Sequence, residues 1–238
     1  MGKSPFTGTP RGPKTDRMNT PEPGEFLALL TAEEIADFRT AGRPRRWDRG
    51  STVMSEGDKS DWVLVLTSGR VKVSSHTAVG TEVVLAVRGP GALLGDMSAV
   101  DGGPRSGTVT ALEPIEGIVV RDFAGFLHEH GRIAVLLLQL ITGRLRDADR
   151  KRIEYGAFDT TGRVATRLVE LAERYGEATN EGVRVMLPLS QDELAGWTGA
   201  SREAVSKALR SLRDRGLIET GRRRVIIYDL EGLRKRAR

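Results

Sequence analysis

The residue types best suited to recognition chemistry in this chain lie near its C-terminal end. Apolar residues recur there at Val205, Leu209 and Leu212, which predicts a helix with one buried stripe. The first turn of that helix exposes Arg202 and Glu203. In the major groove of DNA, an arginine can donate two hydrogen bonds to guanine, and a glutamate can accept one from cytosine N4. We therefore predict that Arg202 and Glu203 read bases.

A second helix must position this first turn, and the sequence supplies one directly upstream. Ser190 can cap a short helix over residues 191–197, with Glu193 at the capping-box position. Gly199 provides the tight turn between the two helices. The pattern predicts a helix-turn-helix, and the alternative is an ordinary helical hairpin with a solvated basic face.

The residues after this helix pair have the pattern of a β-hairpin that would act as a wing. Segments 217–219 and 225–228 are mostly apolar, and Thr220-Gly221 is the predicted turn. Arginines at the tip of the wing, and serines at or near the helix starts, are suited to phosphate contacts, which position a protein on DNA without specifying sequence. The predicted backbone contacts are Ser190, Ser201, Ser206, Arg222, Arg223 and Arg224.

The distribution of charge supports a nucleic-acid partner. The formal net charge is +5, and the last 38 residues alone hold twelve Lys or Arg against five Asp or Glu. The positive excess is therefore local to the predicted wing and recognition helix, as a DNA footprint requires.

Composition excludes several other classes of protein. The chain has no cysteine, which rules out disulfides, thiolate zinc sites and cysteine-ligated iron–sulfur clusters. No apolar run approaches the roughly 20 residues that a membrane span needs. Only three histidines are present, and no catalytic triad, P-loop or metal-ligand cluster stands out. We predict a cytoplasmic protein that is not an enzyme, with no catalytic residues, no metal and no membrane contact.

The elements upstream fall into three segments. Residues 1–24 are rich in proline and glycine and basic, and are predicted to be a disordered tail. Residues 26–40 have helical spacing. Short strands then alternate with glycine turns up to about residue 120, which predicts a β-sandwich or roll.

A long helix follows the strands and is predicted to be broken at Gly156. A heptad seam runs along it, of the kind that two copies of one helix use to pair, and it predicts a homodimer. The alternative is that this helix packs on the sandwich of its own chain. Leu136, Leu137 and Leu140 lie off the seam and are suited to that contact. The seam residues are Ala134, Leu138, Ile141, Leu145, Ala148, Arg152 and Tyr155.

Three stretches together carry a resemblance to a known family. They are the recognition segment GASREAVSK at 199–207, the hinge FDTTGR at 158–163, and the loop that runs from GDMS at 95–98 to PRS at 104–106. Over about residues 26–230 the chain resembles the Crp/Fnr superfamily of bacterial transcription regulators. The family's base-reading Arg and Glu match Arg202 and Glu203. Lys207 replaces a second base-reading Arg, which keeps the charge but loses the bidentate fork.

The resemblance implies an α+β fold. It has an N-terminal cyclic-nucleotide-binding-type β-roll (25–130), a long dimerisation helix (131–157) and a C-terminal winged helix-turn-helix (158–238). The implied function is a homodimeric regulator that binds double-stranded DNA at an inverted repeat, with RNA polymerase as a further candidate partner.

The resemblance also implies a cyclic nucleotide bound by the loop, as in the family's phosphate-binding cassette. A cyclic phosphodiester needs a fixed cation and several N–H donors, which Arg105 and its glycine-rich flanks can supply. Asp96 is suited to accept a hydrogen bond from a ribose hydroxyl. Without the resemblance, this stretch reads as a plain turn. The predicted ligand residues are Gly95, Asp96, Met97, Arg105, Ser106 and Asp149.

Two departures from the family leave the ligand open. Asp96 stands where the family's cyclic-AMP binders usually carry Glu. Their purine-reading hydroxyl residues align with Ala148, which cannot donate to adenine, and Asp149, which can accept from guanine. Cyclic AMP, cyclic GMP, a cyclic dinucleotide and no ligand all remain alternatives. The last would make the chain a ligand-independent regulator with a degenerate pocket.

Overall fold

A computed structural model describes residues 25–78, 80–186, 190–221 and 224–237 of the chain. The predicted disordered tail, Arg222 and Arg223 therefore lie outside the described residues. The helices are α1 (Phe26–Leu29), α2 (Ala32–Ala41), α3 (Asp96–Asp101), α4 (Phe123–Glu129), α5 (Gly131–Ala157), α6 (Thr160–Tyr175), α7 (Gln191–Thr198), α8 (Arg202–Asp214) and α9 (Leu230–Arg236). The strands are β1 (Gly42–Trp47), β2 (Thr52–Met54), β3 (Val63–Ser68), β4 (Val71–His76), β5 (Glu82–Arg88), β6 (Leu93–Leu94), β7 (Thr108–Ala111), β8 (Ile115–Val120), β9 (Gly176–Thr179), β10 (Gly182–Met186), β11 (Ile218–Gly221) and β12 (Arg224–Ile227).

Two four-stranded antiparallel sheets, β1-β8-β3-β6 and β2-β7-β4-β5, form the predicted roll. Strand β3 shows how the core divides, because it is buried on both faces. Leu64 and Leu66 pack between the two sheets. Val63 and Val65 pack against the helices on the other side. A strand buried on both faces carries a continuous apolar run rather than an alternating one, which is why it was visible in the sequence.

The prediction missed strands β1, β2 and β6. Strand β1, with the sequence GRPRRW, contains a proline and three arginines and pairs only with β8. Charge and proline are typical of an edge strand, where one side of the backbone stays unpaired. Strands β2 and β6 have three and two residues, too few for a pattern to show.

Two local predictions near the N-terminal end were wrong. The helix expected over 26–40 is two helices, because the backbone at Leu30 is extended and Thr31 starts α2 with a capping box closed by Glu34. The stretch expected as a loop after Gly95 begins with helix α3, whose two flanking glycines have φ of 81° and 70°.

Helix α5 is continuous through Gly156, so the predicted break there was wrong. A helical glycine costs only about 1 kcal/mol relative to alanine, and the remaining turns offset that cost. The helix ends instead at Phe158, whose backbone is extended. Asp159 then caps α6 by accepting a hydrogen bond from the Gly162 N–H.

The two sides of α5 are unlike each other. Ile133 and Leu137 are buried against the roll, while Leu138 and Leu145 are 63% and 61% exposed. Ile141, which the heptad seam included, is partly buried and packs with the roll. The exposed apolar side therefore overlaps the predicted seam without coinciding with it.

Helices α6 to α9 and the sheet β11-β12-β10-β9 form the C-terminal domain, which is the predicted winged helix-turn-helix. Residues 177–182, whose polar sequence shows no strand pattern, belong to the β9–β10 hairpin. Thr220 and Gly221, expected to be the turn of the wing, are the last two residues of β11.

This domain docks directly on the roll through α7 and β5. Val84 and Val87 of β5 belong to the same buried cluster as Leu194 and Trp197 of α7. A Cβ at Gly196 would lie 2.5 Å from the Glu82 carbonyl oxygen, so only glycine permits this approach of helix to strand.

An ion-paired lysine lies at the same contact between β5 and α7. The Lys72 Nζ on β4 is 2.9 Å from Glu82 Oε2 and 2.5 Å from Glu193 Oε1, the latter on α7. Burial lowers the pKa of Lys72, but hydrogen bonds to Glu193 and Glu82 outweigh it and raise the pKa overall. The three charges join the roll to the C-terminal domain.

Candidate DNA interface and ligand cavity

The helix pair α7–α8 is built by local capping. Ser190 Oγ accepts the Glu193 N–H, and the Glu193 carboxylate accepts the Ser190 N–H in return. Gly199 ends α7 with φ of 59°, a left-handed conformation that favours glycine. Ser201 then caps α8 by accepting the Ala204 N–H. These contacts fix the angle at which α8 is presented.

Helix α8 has one buried and one exposed face, as predicted. Val205, Leu209 and Leu212 are buried in the domain core. Arg202, Glu203 and Lys207, the predicted base-reading residues, are exposed together on the other side. Ser206 is half-buried. The three base-reading candidates thus share one solvent-facing surface.

Asp192, which the sequence did not single out, lies beside Arg202 with 3.6 Å between Oδ2 and Nη1. Both side chains are more than 60% exposed, and an exposed pair of this kind contributes little stability. Arg202 can therefore exchange this carboxylate for a base at small cost. The pKa of Glu203 is lowered by hydrogen bonds from its own backbone N–H and from Ser201, so it is an acceptor at neutral pH.

The residues predicted to contact the DNA backbone lie in two places, at the helix starts and in the wing. The hydroxyls of Ser190 and Ser201 act as helix caps at two neighbouring helix starts, where backbone N–H groups favour anions. Arg224 lies in β12 of the wing and its Nη2 is 3.9 Å from Glu219 Oε1. Arg222 and Arg223 lie outside the described residues.

A cavity of about 760 Å³ lies between the roll and helices α5 and α6. Five of the six predicted ligand residues line it: Gly95, Asp96, Met97, Arg105 and Ser106. The cavity is within the size range of small-molecule sites. The loop and α3 that carry these five residues are called the cassette below (residues 95–106).

Arg105 is held inside the protein rather than pointing freely into solvent. It is 4% exposed. Its Nη1 donates to Gly95 O at 2.6 Å and Ser98 Oγ at 2.7 Å, and its Nη2 donates to Trp62 O at 2.6 Å. Its buried Nε has no hydrogen-bond partner among the described residues. Burial lowers the pKa of Arg105, and the nearby Asp96 acts against that effect.

The structure adds Arg144 to the site, a residue that the sequence did not single out. Arg144 Nη1 donates to both carboxylate oxygens of Asp96, at 3.0 and 2.9 Å, and its Nη2 donates to Leu93 O at 2.7 Å. Asp96 is 3% exposed. Five arginines occur in α5, and nothing local distinguishes Arg144 from the others.

The remaining predicted ligand residues differ in placement. Met97 is exposed, and its sulfur accepts a hydrogen bond from Ser106 Oγ at 3.8 Å. Asp149 is also exposed, and among the described residues its neighbours Ala148 and Arg150 line the cavity while Asp149 does not. Asp149 faces outward on the same side of α5 as Leu138 and Leu145.

Within the described part of the chain, no three His, Asp or Glu side chains converge in a way that would hold a metal ion. No described helix is long and apolar enough to cross a membrane.

The chain is similar to known proteins over most of its length. Residues 44–128 match the family model of the cyclic nucleotide-binding domain, and residues 162–236 match that of the Crp-like helix-turn-helix domain. It is 34% identical over 219 residues to the CRP-like cAMP-activated global transcriptional regulator of Mycobacterium tuberculosis. The aligned region covers 91% of this chain and 94% of that protein.

Solved structures show the same fold. A CRP-family transcriptional regulator from Thermus thermophilus is 27% identical with a TM-score of 0.69, covering 81% of this chain and 96% of that one. The c-di-GMP responsive global regulator of Xanthomonas campestris has a TM-score of 0.74 at 23% identity, covering 84% and 100%. From the two matched domains and the nearly full-length relative, this chain belongs to the Crp/Fnr superfamily of transcription regulators, which are not enzymes.

Proposed function

We propose that this protein is a homodimeric, sequence-specific regulator whose DNA binding is gated by a cyclic nucleotide in the cavity between roll and helices. The observation that carries the proposal is that one cavity is lined by the cassette and also by α5 and α6. Helix α6 belongs to the domain that presents the recognition helix. A ligand in this cavity therefore contacts both the sensing and the DNA-binding parts of the chain.

The DNA-reading role rests on the exposed face of α8. Arg202 and Glu203 lie in the first turn, where a recognition helix contacts base edges, and Lys207 lies further along the same exposed surface. Ser190, Ser201, Ser206 and Arg224, with Arg222 and Arg223, are assigned to the DNA backbone. The protein is assigned to the cytoplasm because its partner is DNA.

Dimerisation is proposed through the outward side of α5. Val135, Leu138, Leu145 and Ile153 are each more than half exposed. Large apolar side chains repeated along one helix face are typical of an interface with a second helix. A twofold dimer would bring two recognition helices to an inverted repeat. For an activator, contact with RNA polymerase at the promoter would follow.

Gating requires two arrangements of the DNA-binding domain. In this structure α7 is docked on β5 through Lys72, Glu82 and Glu193. A ligand can change DNA affinity only if it binds one arrangement more tightly than the other. Contacts to Arg105 and Asp96 on one side, and to α5 and α6 on the other, would supply that difference.

The effector is proposed from the residues at the cavity. The M. tuberculosis relative is named as cAMP-activated, which favours a cyclic mononucleotide here too. Ala148 cannot donate a hydrogen bond to adenine, and Asp149 can accept from guanine. The outward position of Asp149 means that it would reach a nucleotide held by a second copy of the chain.

A ligand-independent regulator is the second candidate, and one observation favours it. Both oxygens of Asp96 already accept hydrogen bonds from Arg144, and both terminal nitrogens of Arg105 already donate to the protein. A cassette whose charged side chains already have hydrogen-bond partners within the chain can support the fold without binding a nucleotide.

Fluorescence anisotropy with a palindromic TGTGA-type duplex and a scrambled duplex tests these proposals. We expect specific binding that strengthens with one of cyclic AMP or cyclic GMP and is lost in Arg202→Ala. Specific binding that no nucleotide changes would favour the ligand-independent candidate. Equal binding to both duplexes under every condition would overturn sequence-specific recognition.

A further inference from the structure

The cavity contains a second set of cations that the cassette does not use. Arg88 at the end of β5 and Lys151 on α5 both line it. Both are half-buried. Neither belongs to the residues for which the sequence predicted a ligand contact.

Three other arginines that line the helical side of this cavity, Arg144, Arg167 and the exposed Arg174, have acidic partners. Arg144 pairs with Asp96 at 2.9 Å, and Arg167 pairs with Glu170 at 2.6 Å. The Arg174 Nη1 lies 3.7 Å from an oxygen of Glu25. Each of these carboxylates is therefore already ion-paired with an arginine, and Glu25 and Glu170 act on Arg88 and Lys151 only from a greater distance.

Arg88 and Lys151 are different. Within the described part of the chain, Lys151 Nζ donates to the Leu85 carbonyl oxygen at 2.8 Å and has no carboxylate within ion-pair distance. No hydrogen bond or ion pair of the Arg88 guanidinium is found there. Taking a cation out of water without an anionic partner is unfavourable, so both side chains are in an unfavourable position unless an anion joins them.

The electrostatic surroundings agree with this reading. Burial lowers the pKa of Arg88, and the like charge of Arg144 lowers it further, while the more distant Glu25 offsets part of the effect. Burial also lowers the pKa of Lys151; Glu170 acts against this effect, and the like charges of Arg167 and Arg88 add to it. In both cases burial dominates, and an anion bound between the two cations would counter its effect.

We propose that Arg88 and Lys151 form a second anion subsite in this cavity, which binds a phosphate group other than the one assigned to Arg105. A guanidinium offers a planar pair of N–H donors and an ammonium a compact charge, and both are common phosphate ligands. The phosphate belongs either to the second half of a cyclic dinucleotide or to a separate phosphate-bearing molecule beside a mononucleotide.

The subsite extends the proposed function but does not depend on nucleotide binding by the cassette. Arg88 and Lys151 can bind phosphate even if Arg105 holds no ligand. The two proposals therefore fail separately: loss of all mononucleotide binding would count against the cassette, and insensitivity of phosphate binding to Arg88 and Lys151 would count against the subsite.

Titration calorimetry on the full chain, with cyclic AMP, cyclic GMP, cyclic di-GMP and inorganic phosphate as probes, tests the subsite. We expect Arg88→Gln and Lys151→Gln each to weaken binding of cyclic di-GMP or of phosphate by about tenfold or more, since a charge-assisted hydrogen bond is lost. Arg146→Gln is the matched control, because Arg146 is also a cation of α5 but is exposed and does not line the cavity. It should change binding less than twofold.

The same probes separate the two sources of phosphate. If cyclic di-GMP binds with one site per chain and also requires Arg105, one ligand spans both subsites. If inorganic phosphate instead tightens mononucleotide binding, and the Arg88 variant removes that effect, the phosphate is a separate molecule. Wild-type protein that binds neither cyclic di-GMP nor phosphate would overturn the proposal.

Thermal unfolding without added ligand gives an independent readout. Because Arg88 and Lys151 are half-buried without an anionic partner, Arg88→Gln and Lys151→Gln should leave the melting temperature unchanged or raise it. Phosphate should raise the melting temperature of the wild type more than that of either variant. A lower melting temperature in both variants, with unchanged ligand binding, would show that the two residues are structural and would overturn the subsite.

Discussion

The cassette and the recognition helix both present arginine and acidic side chains for polar recognition, yet they are built in opposite ways. Arg105 and Asp96 are 4% and 3% exposed and are bonded to distant parts of the chain. Arg202 and Asp192 are both more than 60% exposed. The charged side chains of the cassette are therefore preorganised by burial and contribute to folding, whereas the exposed side chains around the start of the recognition helix contribute little to it.

The largest expected effect on stability comes from a substitution in the cassette. Arg105→Ala should lower the free energy of unfolding by about 3 kcal/mol, because it removes the three hydrogen bonds that the buried guanidinium donates to Gly95 O, Ser98 Oγ and Trp62 O. Urea unfolding followed by circular dichroism measures the change. Arg146→Ala, at an exposed position of α5, is the control. A loss below about 0.5 kcal/mol, within the range usual for surface substitutions, would show that the cassette is not integral to the fold.

The next effect concerns the recognition helix. Arg202→Ala should weaken binding to the specific duplex by about 2 kcal/mol and relax base choice at one position. Its free energy of unfolding should stay within about 0.5 kcal/mol of the wild type, as for most exposed residues. Anisotropy and urea unfolding on the same samples test both parts. An equal loss of affinity on scrambled DNA would assign Arg202 to the backbone instead.

A smaller effect tests the contact that links the two regions. Burial raises the pKa of Glu193, but hydrogen bonds from Lys72 and from the Ser190 N–H outweigh it and lower the pKa overall. A carboxyl whose pKa is lowered by folding stabilises the protein above its unfolded pKa of about 4.3. That contribution is lost as the pH falls through the lower folded pKa.

Glu193→Gln should therefore flatten the loss of stability between about pH 5 and pH 3, by about 1 kcal/mol. Urea unfolding across this pH range is the measurement, with the exposed Glu231→Gln as control. An unchanged pH profile in Glu193→Gln would mean that the bridge between α7 and the roll contributes nothing to stability.

The smallest effect concerns the wing. Arg224→Ala should weaken binding to all duplexes alike and reduce the slope of log affinity against log salt by about 1. The slope should be measured over several salt concentrations on specific and scrambled duplexes. A slope equal to that of the wild type would show that Arg224 does not contact phosphate.

The sequence predicted the recognition helix well because its determinants are local. Ser190, Ser201 and Gly199 act within a few residues of the bonds they form. The roll was predicted from its apolar strands, and only its charged edge β1 and its shortest strands were missed. The break expected at Gly156 was wrong because a single glycine costs less than the rest of a 27-residue helix contributes.

The sequence by itself therefore determined the winged helix-turn-helix, the roll and most of the cassette, since spacing, caps and turn residues encode short-range order. Only the tertiary structure decided which partners complete each site. Arg144 reaches Asp96 across 48 residues, and Lys72 reaches Glu193 across 121. It also decided which cationic side chains of the cavity have no acidic partner within ion-pair distance. Such pairings depend on how whole elements pack, and no pattern within one helix or strand specifies them.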